Sequence, residues 1–257
     1  MTPLYWSLLA ALYGGLVAQL VPRAAYRLSV EPGQAWRQAC PRGHPLPAGW
    51  RGWTGPARCR GCGAWYGSGS SRARVAVAAA GAGTAALCVL LVVAVGPRPE
   101  LAVWLLLVPF GLLLALVDVR VRRLPDVVTV PVAAGTAALL GVAELLPGEA
   151  GSWRGALLGA GVQAGLLFSV FLIKPEGMGL GDVKLALTTG AALGWYGMGV
   201  VFTGTLAGLT LGAVVGYGRI ALRRAGHRTG MPLGPYLLAG AFGGVVLGAA
   251  LAGGHWP

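Results

Sequence analysis

Eight apolar runs dominate this chain, at roughly Leu4–Val21, Val75–Val95, Leu101–Val117, Val127–Leu146, Trp153–Ile173, Val183–Trp195, Gly199–Gly218 and Pro232–Leu251. Most are long enough to cross about 30 Å of hydrocarbon as helices. Lipid offers the backbone no hydrogen-bond partner, so a lone apolar run must close its own bonds, and the helix does that. The pattern therefore predicts an all-α polytopic membrane protein with about eight transmembrane helices. With 56% hydrophobic and only 11% charged residues, neither an ordinary soluble domain nor a disordered chain is expected. The sixth run is short, and Trp195-Tyr196-Gly197 either separates it from the seventh or kinks one long helix.

The charges follow the spans. Net charge is +12, which by itself would suggest nucleic acid. The first span, however, has no basic residue before Arg23, opposite to a secretory signal peptide and typical of an anchor with its N-terminus outside. With that orientation, 18 of the 20 Lys and Arg fall on the cytoplasmic side, and only Arg98 and Arg154 fall outside. The charge is then a topology signal under the positive-inside rule, and no nucleic-acid partner is expected. The chain divides into residues 1–22 as the first transmembrane helix, 23–74 as a polar cytoplasmic Cys/His segment, and 75–257 as the transmembrane core. The expected location is the cytoplasmic (inner) membrane, multi-pass, with lipid as a partner. The abundance of Gly and Ala in the spans reads as close helix packing. No oligomeric state is implied.

Two aspartates stand at the edges of apolar runs, where ionisable groups are costly and functional candidates. Asp118 ends the third run and opens Asp118-Val-Arg-Val-Arg-Arg-Leu-Pro-Asp126; Asp182 ends Gly177-Met-Gly179-Leu-Gly181-Asp182 and opens the sixth. Both fall on the same side, so antiparallel helices could bring the carboxyls together. Each also has a plainer role available: Asp118 could pair with Arg122, four residues on, and Asp182 could cap its helix. Gly179 and Gly181 remove side-chain bulk and so permit another backbone to approach there.

Cys40-Pro-Arg-Gly-His44 and Cys59-Arg-Gly-Cys62 supply two ligand pairs with the spacing of a structural zinc knuckle of three thiolates and one imidazole. Cys88, inside the second span, reads as a small packing residue. His227 and His255 have no partner in the sequence.

The blocks Asp118-Val-Arg-Val-Arg-Arg-Leu-Pro-Asp126, Gly177-Met-Gly-Leu-Gly-Asp-Val-Lys184 and Met231-Pro-Leu-Gly-Pro-Tyr236 resemble the membrane core of the type IV prepilin peptidases, in the GxGD class of aspartyl proteases. The resemblance covers about residues 101–240 well and the N-terminal segment less well. It implies cleavage of the basic leader from prepilins or pseudopilins at the cytoplasmic face, before their hydrophobic helix. Asp118 and Asp182 match the family's catalytic pair, with Gly177, Gly179, Gly181 and Lys184 as the active-site loop. One ionised carboxyl would activate water and one protonated carboxyl would polarise the carbonyl; like charges held close can share one proton. Asp182, at a helix N-terminus, is expected to ionise more readily, and Asp118 to hold the proton. Asp126 is expected to cap the fourth helix or, with Glu176, to help dock the leader against so much positive charge. Lys184 either neutralises the site or snorkels to the headgroups, the plainer expectation.

Many relatives carry two C-x-x-C pairs in the polar segment, and the larger bifunctional ones N-methylate the new pilin N-terminus with S-adenosylmethionine. Here Gly43 stands where a second cysteine would fall, and His44 is the substitute. No cofactor-binding motif is recognisable, which leaves methyl transfer open. The alternative class is a non-catalytic membrane scaffold or a small proton- or ion-coupled transporter. Its acids would be expected near the midplane rather than at one edge.

Overall fold

The computed structural model describes residues 3–31, 33–66, 70–175, 178–222 and 232–253. Eight α-helices run in order: α1 Pro3–Leu28, α2 Ser70–Val95, α3 Glu100–Val121, α4 Asp126–Glu144, α5 Trp153–Ile173, α6 Leu180–Trp195, α7 Met198–Ala221 and α8 Gly234–Leu251. There is no strand among the described residues, and the all-α expectation holds. Large apolar side chains such as Leu12 and Leu206 lie on the outside, which suits a lipid solvent and would be a liability in water. Seven of the helices are long and apolar enough to cross a membrane; the protein is a multi-pass membrane protein.

The remaining helix, α6, has only 16 residues, about 24 Å at 1.5 Å per residue. It does not need to match the bilayer because other helices surround it: α5, α4, α8 and α7 all pack on it. From Thr188 to Trp195 every residue is buried. The question left by Trp195-Tyr196-Gly197 is settled in favour of a break. Gly197 takes φ +112°, a conformation open to glycine, and the chain turns there before α7.

Close approach of backbones seats α6. Gly155 and Gly159 on α5 face Gly190 and Gly194 on α6, each pair spaced as G-x-x-x-G. A Cβ built on Gly190 would strike the Gly159 carbonyl oxygen, and one on Gly194 the Gly155 oxygen. The same arrangement recurs between α7 and α8, where Gly204 and Gly208 meet Gly240 and Gly244; a Cβ on Gly208 would lie 2.8 Å from the Tyr236 oxygen. Small residues four apart open a flat stripe on which helices gain dispersion contacts that lipid cannot supply. The reading of the Gly/Ala richness as packing is confirmed at these four stripes.

Several helices run past their apolar stretch. α1 continues through Pro22 to Leu28, because its last turns carry polar work: Arg23 Nη1 donates to the carbonyls of Arg51 (2.6 Å) and Thr54 (3.1 Å), and the Arg27 guanidinium lies over the Trp53 ring at 4.3 Å. Gly55 N–H donates to Leu20 O at 2.8 Å. These contacts fasten the polar segment to the end of the bundle, where Trp53 joins the cluster formed by Leu28, Val117 and Val121. α3 likewise continues past Asp118 to Val121. It stops because Arg122 adopts the left-handed conformation (φ 50°, ψ 44°) and Pro125 follows, which disfavours helix at Leu124. Cys88, fully buried beside Ala10 and Val92, packs as expected.

Gly190→Leu is expected to destabilise the bundle by at least about 2 kcal/mol, since the new side chain must separate two backbones. Gly161→Leu, on the open face of α5 where nothing lies within 4 Å, should leave stability unchanged. Thermal unfolding of both purified proteins in detergent checks the pair.

Candidate functional site

Antiparallel packing brings three helix ends together. The C-terminal turn of α3 carries Asp118, the N-terminal turn of α6 carries Asp182, and the N-terminus of α8 faces them. Both carboxylates are buried, Asp118 at 4% and Asp182 at 8% exposure, although they enter from helices 64 positions apart in sequence. The residues one turn away from them, Leu114 on α3 and Leu185 on α6, belong to one apolar cluster with Leu124 and Leu237, which Met178 and Leu233 join.

Each carboxylate accepts one backbone N–H. Gly179 N–H donates to Asp182 Oδ2 at 3.2 Å, so Asp182 does reach back to the amide at the start of its own helix, as the capping expectation has it. Gly234 N–H donates to Asp118 Oδ2 at 2.9 Å. No role for Gly234 was read from the sequence. The signal was present, since a glycine in Pro232-Leu-Gly-Pro235 at the first position of a helix presents a free amide to an anion. A Cβ on Gly234 would fall 2.9 Å from that same oxygen, so the position needs a glycine to let the amide reach.

Gly181 is pressed against the loop that ends α3: a Cβ there would lie 3.0 Å from the Leu124 Cβ. The glycine before Asp182 thus permits the close approach anticipated from the sequence, and the neighbour is the Leu124-Pro125-Asp126 loop. One contact joins two residues read separately from the sequence: Lys184 Nζ lies 2.7 Å from Asp126 Oδ2, at the rim of the site. Asp126 is the first residue of α4, where its charge suits the helix macrodipole. Glu176 and Gly177 lie outside the described residues, as do Met231, His227 and His255.

At the same end of the bundle, the polar segment folds into two small hairpins, each opened by a cysteine. Cys40 N–H donates to His44 O and Cys59 N–H to Ala64 O, both at 2.8 Å, and Gly43 (φ +83°) and Gly63 (φ +68°) make the turns. Ala39 pairs with Pro45 and Arg58 with Trp65 as isolated bridges. The Tyr26 and Tyr66 rings stack at 4.7 Å and pack against Cys40 and Cys59. Cys40 Sγ lies 3.7 Å from His44 Nδ1 and 3.6 Å from Cys62 Sγ, and these three donors lie within 4.8 Å of one another. Tetrahedral coordination at about 2.3 Å per sulfur would separate two thiolates by roughly 3.8 Å, so the group fits a metal ion. Cys59 adjoins it and interacts with Cys40 and Cys62. The Cys62 backbone N–H, aided by that of Gly61, lowers the Cys59 thiol to about 7 against the opposing effect of burial. A thiol there is substantially thiolate at neutral pH, the form that binds metal.

Fold and site together define a multi-pass membrane protein that holds a carboxylate pair at the common end of three helices. Residues 105–252 match the Type IV leader peptidase family. Three curated relatives are each named prepilin leader peptidase/N-methyltransferase. That of Aeromonas hydrophila is 35% identical over 129 residues, 48% of this chain and 42% of the relative. That of Aeromonas salmonicida strain A449 is 31% identical over 216 residues, 78% of this chain and 68% of the relative. That of Pseudomonas aeruginosa PAO1 is 37% identical over 139 residues, 52% of this chain and 45% of the relative. No solved structure matches. The chain belongs to the Type IV leader peptidase family. The matched region spans less than half the length of two of these three relatives.

The full-length protein purified without chelator is expected to carry about one equivalent of bound divalent metal. Cys40→Ser, His44→Ala and Cys62→Ser should each lose it, while Cys88→Ser retains it; elemental analysis after gel filtration is the measurement.

Proposed function

We propose that this chain is a membrane-embedded aspartyl endopeptidase that removes the basic leader from type IV prepilins or pseudopilins. The observation that carries the reading is the buried pair Asp118 and Asp182, delivered by two different helices to one end of the bundle, each with one backbone N–H on its carboxylate among the described residues. Peptide hydrolysis without a covalent intermediate needs a base for the attacking water and an acid for the scissile carbonyl. Two neighbouring carboxyls sharing one proton supply both. Since each accepts one backbone N–H, the hydrogen bonds do not separate their roles. The helix termini do not separate them either: Asp182 sits in the first turn of α6, and the N-terminus of α8 faces Asp118, so the macrodipoles favour charge on both and the proton belongs to the pair.

The end of the bundle bearing Arg23, Arg27, Arg120 and Arg122 is rich in positive charge, which supports a site facing the cytoplasm. Asp126 and Glu176 are the acids available to a basic leader, with anionic lipid as a further attraction. Gly179 leads into α6, and Gly181 and Lys184 flank Asp182 on its first turns; Gly177 precedes them in the sequence. Zinc is the metal that best suits the donors Cys40, His44, Cys62 and the adjoining Cys59, in a structural role that holds the two hairpins together. N-methylation of the mature N-terminus, named for the relatives, would require S-adenosylmethionine. A scaffold or a proton-coupled transporter gains no support from Asp118 and Asp182 meeting at one end of the bundle.

A prepilin encoded by the same organism, co-expressed with the chain, tests this by the mass of its N-terminus. Wild type is expected to remove the leader; Asp118→Asn and Asp182→Asn, at equal membrane abundance, should reduce cleavage on the order of a thousandfold or more. Gly234→Ala should cleave about tenfold more slowly, because its Cβ displaces the Asp118 carboxyl. The mass of one added methyl group on the mature product would establish methyl transfer. Normal cleavage by either Asn variant would remove that aspartate from the chemistry.

A further inference from the structure

An apolar cavity of about 360 Å³ lies between α2, α3, α6 and α8, within the roughly 300–1,000 Å³ range of ligand pockets. Thr84, Thr188 and Thr189 are the only lining residues with a hydroxyl. The cavity begins beside both carboxylates. Ala115 stands three residues before Asp118, Leu185 three after Asp182, and Pro235 follows the Gly234 that donates to Asp118. From Pro235 its wall follows α8 to Val245, about 15 Å along the helix axis and so about half the hydrocarbon thickness. Its lining on α6, at Leu185, Thr188 and Ala192, is buried, while α2, α3 and α8 contribute half-buried or exposed positions along its length, from Ala115 and Pro235 beside the aspartates to Leu87, Leu107 and Phe242 farther in. It is a slot backed by α6, open sideways, with one end beside the aspartates.

A leader substrate has an apolar segment directly after the scissile bond, and the carboxylates sit where that segment must pass from water into lipid. We propose that the cavity receives the first apolar side chains after the scissile bond and so sets which peptide bond lies between Asp118 and Asp182. This rests on the peptidase reading above. Lipid is as apolar as the cavity, so no hydrophobic gain distinguishes the two, and selection must come from shape and packing. Gly111, Ala115 and Ala192 leave the space unfilled, and their small size is the specificity element.

Two measurements test it on the full-length protein in lipid nanodiscs. In the first, Ala115→Leu and Gly111→Leu, which fill the slot, are compared with Gly161→Leu on the open face of α5. The slot variants should lose about tenfold or more in kcat/KM for the prepilin, through KM, with Gly161→Leu at the wild-type value. A prepilin whose first apolar side chains are trimmed to alanine should recover cleavage by the slot variants, an effect that general damage to the fold could not produce. Wild-type kinetics in both slot variants, or equal loss with trimmed and untrimmed substrate, would overturn the proposal. In the second, a photoreactive benzoylphenylalanine in place of Leu238 should crosslink to the apolar segment of the prepilin in an otherwise wild-type chain and in Asp182→Asn. Crosslinking without cleavage by the otherwise wild-type chain would keep the cavity assignment and sink the peptidase reading. Cleavage with crosslinks to lipid alone would do the reverse.

Discussion

Everything at the carboxylate site depends on the backbone contact between α5 and α6. A helix of 16 residues cannot hold its depth in a bilayer by hydrophobic matching alone, and α6 carries Asp182 on its first turn. Gly155 and Gly159 against Gly190 and Gly194 let the two backbones touch, which fixes α6 along its axis. The α7–α8 glycine stripes do the same for α8, whose first amide holds Asp118. In lipid the hydrophobic effect gives no reason for helices to associate, so contact geometry has to supply it. The result is that two helix starts and one helix end meet at a defined height.

Such a junction sets up the electrostatics. Helix N-termini offer unpaired N–H groups and partial positive charge, and here α6 and α8 both turn that end toward carboxylates. Gly179 and Gly234 each spend one amide on them, which makes burial of two acids tolerable beside an apolar cluster. Basic residues at this end of the bundle are engaged elsewhere: Lys184 is tied to Asp126 at the rim, and Arg23 and Arg27 are engaged with the polar segment. That segment is itself small, and the Cys40, His44 and Cys62 group lies where a hydrophobic core would otherwise be needed. A metal held there would supply stability that apolar burial in so small a fold does not.

Much of the fold was legible because membrane insertion leaves a coarse signal: an apolar run has few alternatives to a helix. The boundaries were less legible where helices continue into water. α1 past Val21 and α3 past Val117 are held by side-chain contacts with distant residues, and no local pattern announces those. Asp118 and Asp182 were identifiable as costly residues at the ends of runs, and Gly181 as a point of close approach. What Gly181 approaches, namely Leu124, was not legible, nor was the Gly234 amide on Asp118, 116 positions away. The pairing of Lys184 with Asp126 was missed for a related reason, since one residue was read as snorkelling and the other as a cap, each within its own helix.

By itself the sequence determined that this chain crosses a membrane as helices, which residues are too polar to face lipid, and which cysteines and histidine have ligand spacing. Those follow from local chemistry: hydropathy, backbone hydrogen bonding and short-range geometry. Only the tertiary structure decided that α6 sits enclosed, that the two aspartates share one buried site with an amide on each, and that an apolar slot starts beside them. These depend on which backbones touch, and that is set by pairs of glycine stripes whose partners lie on other helices.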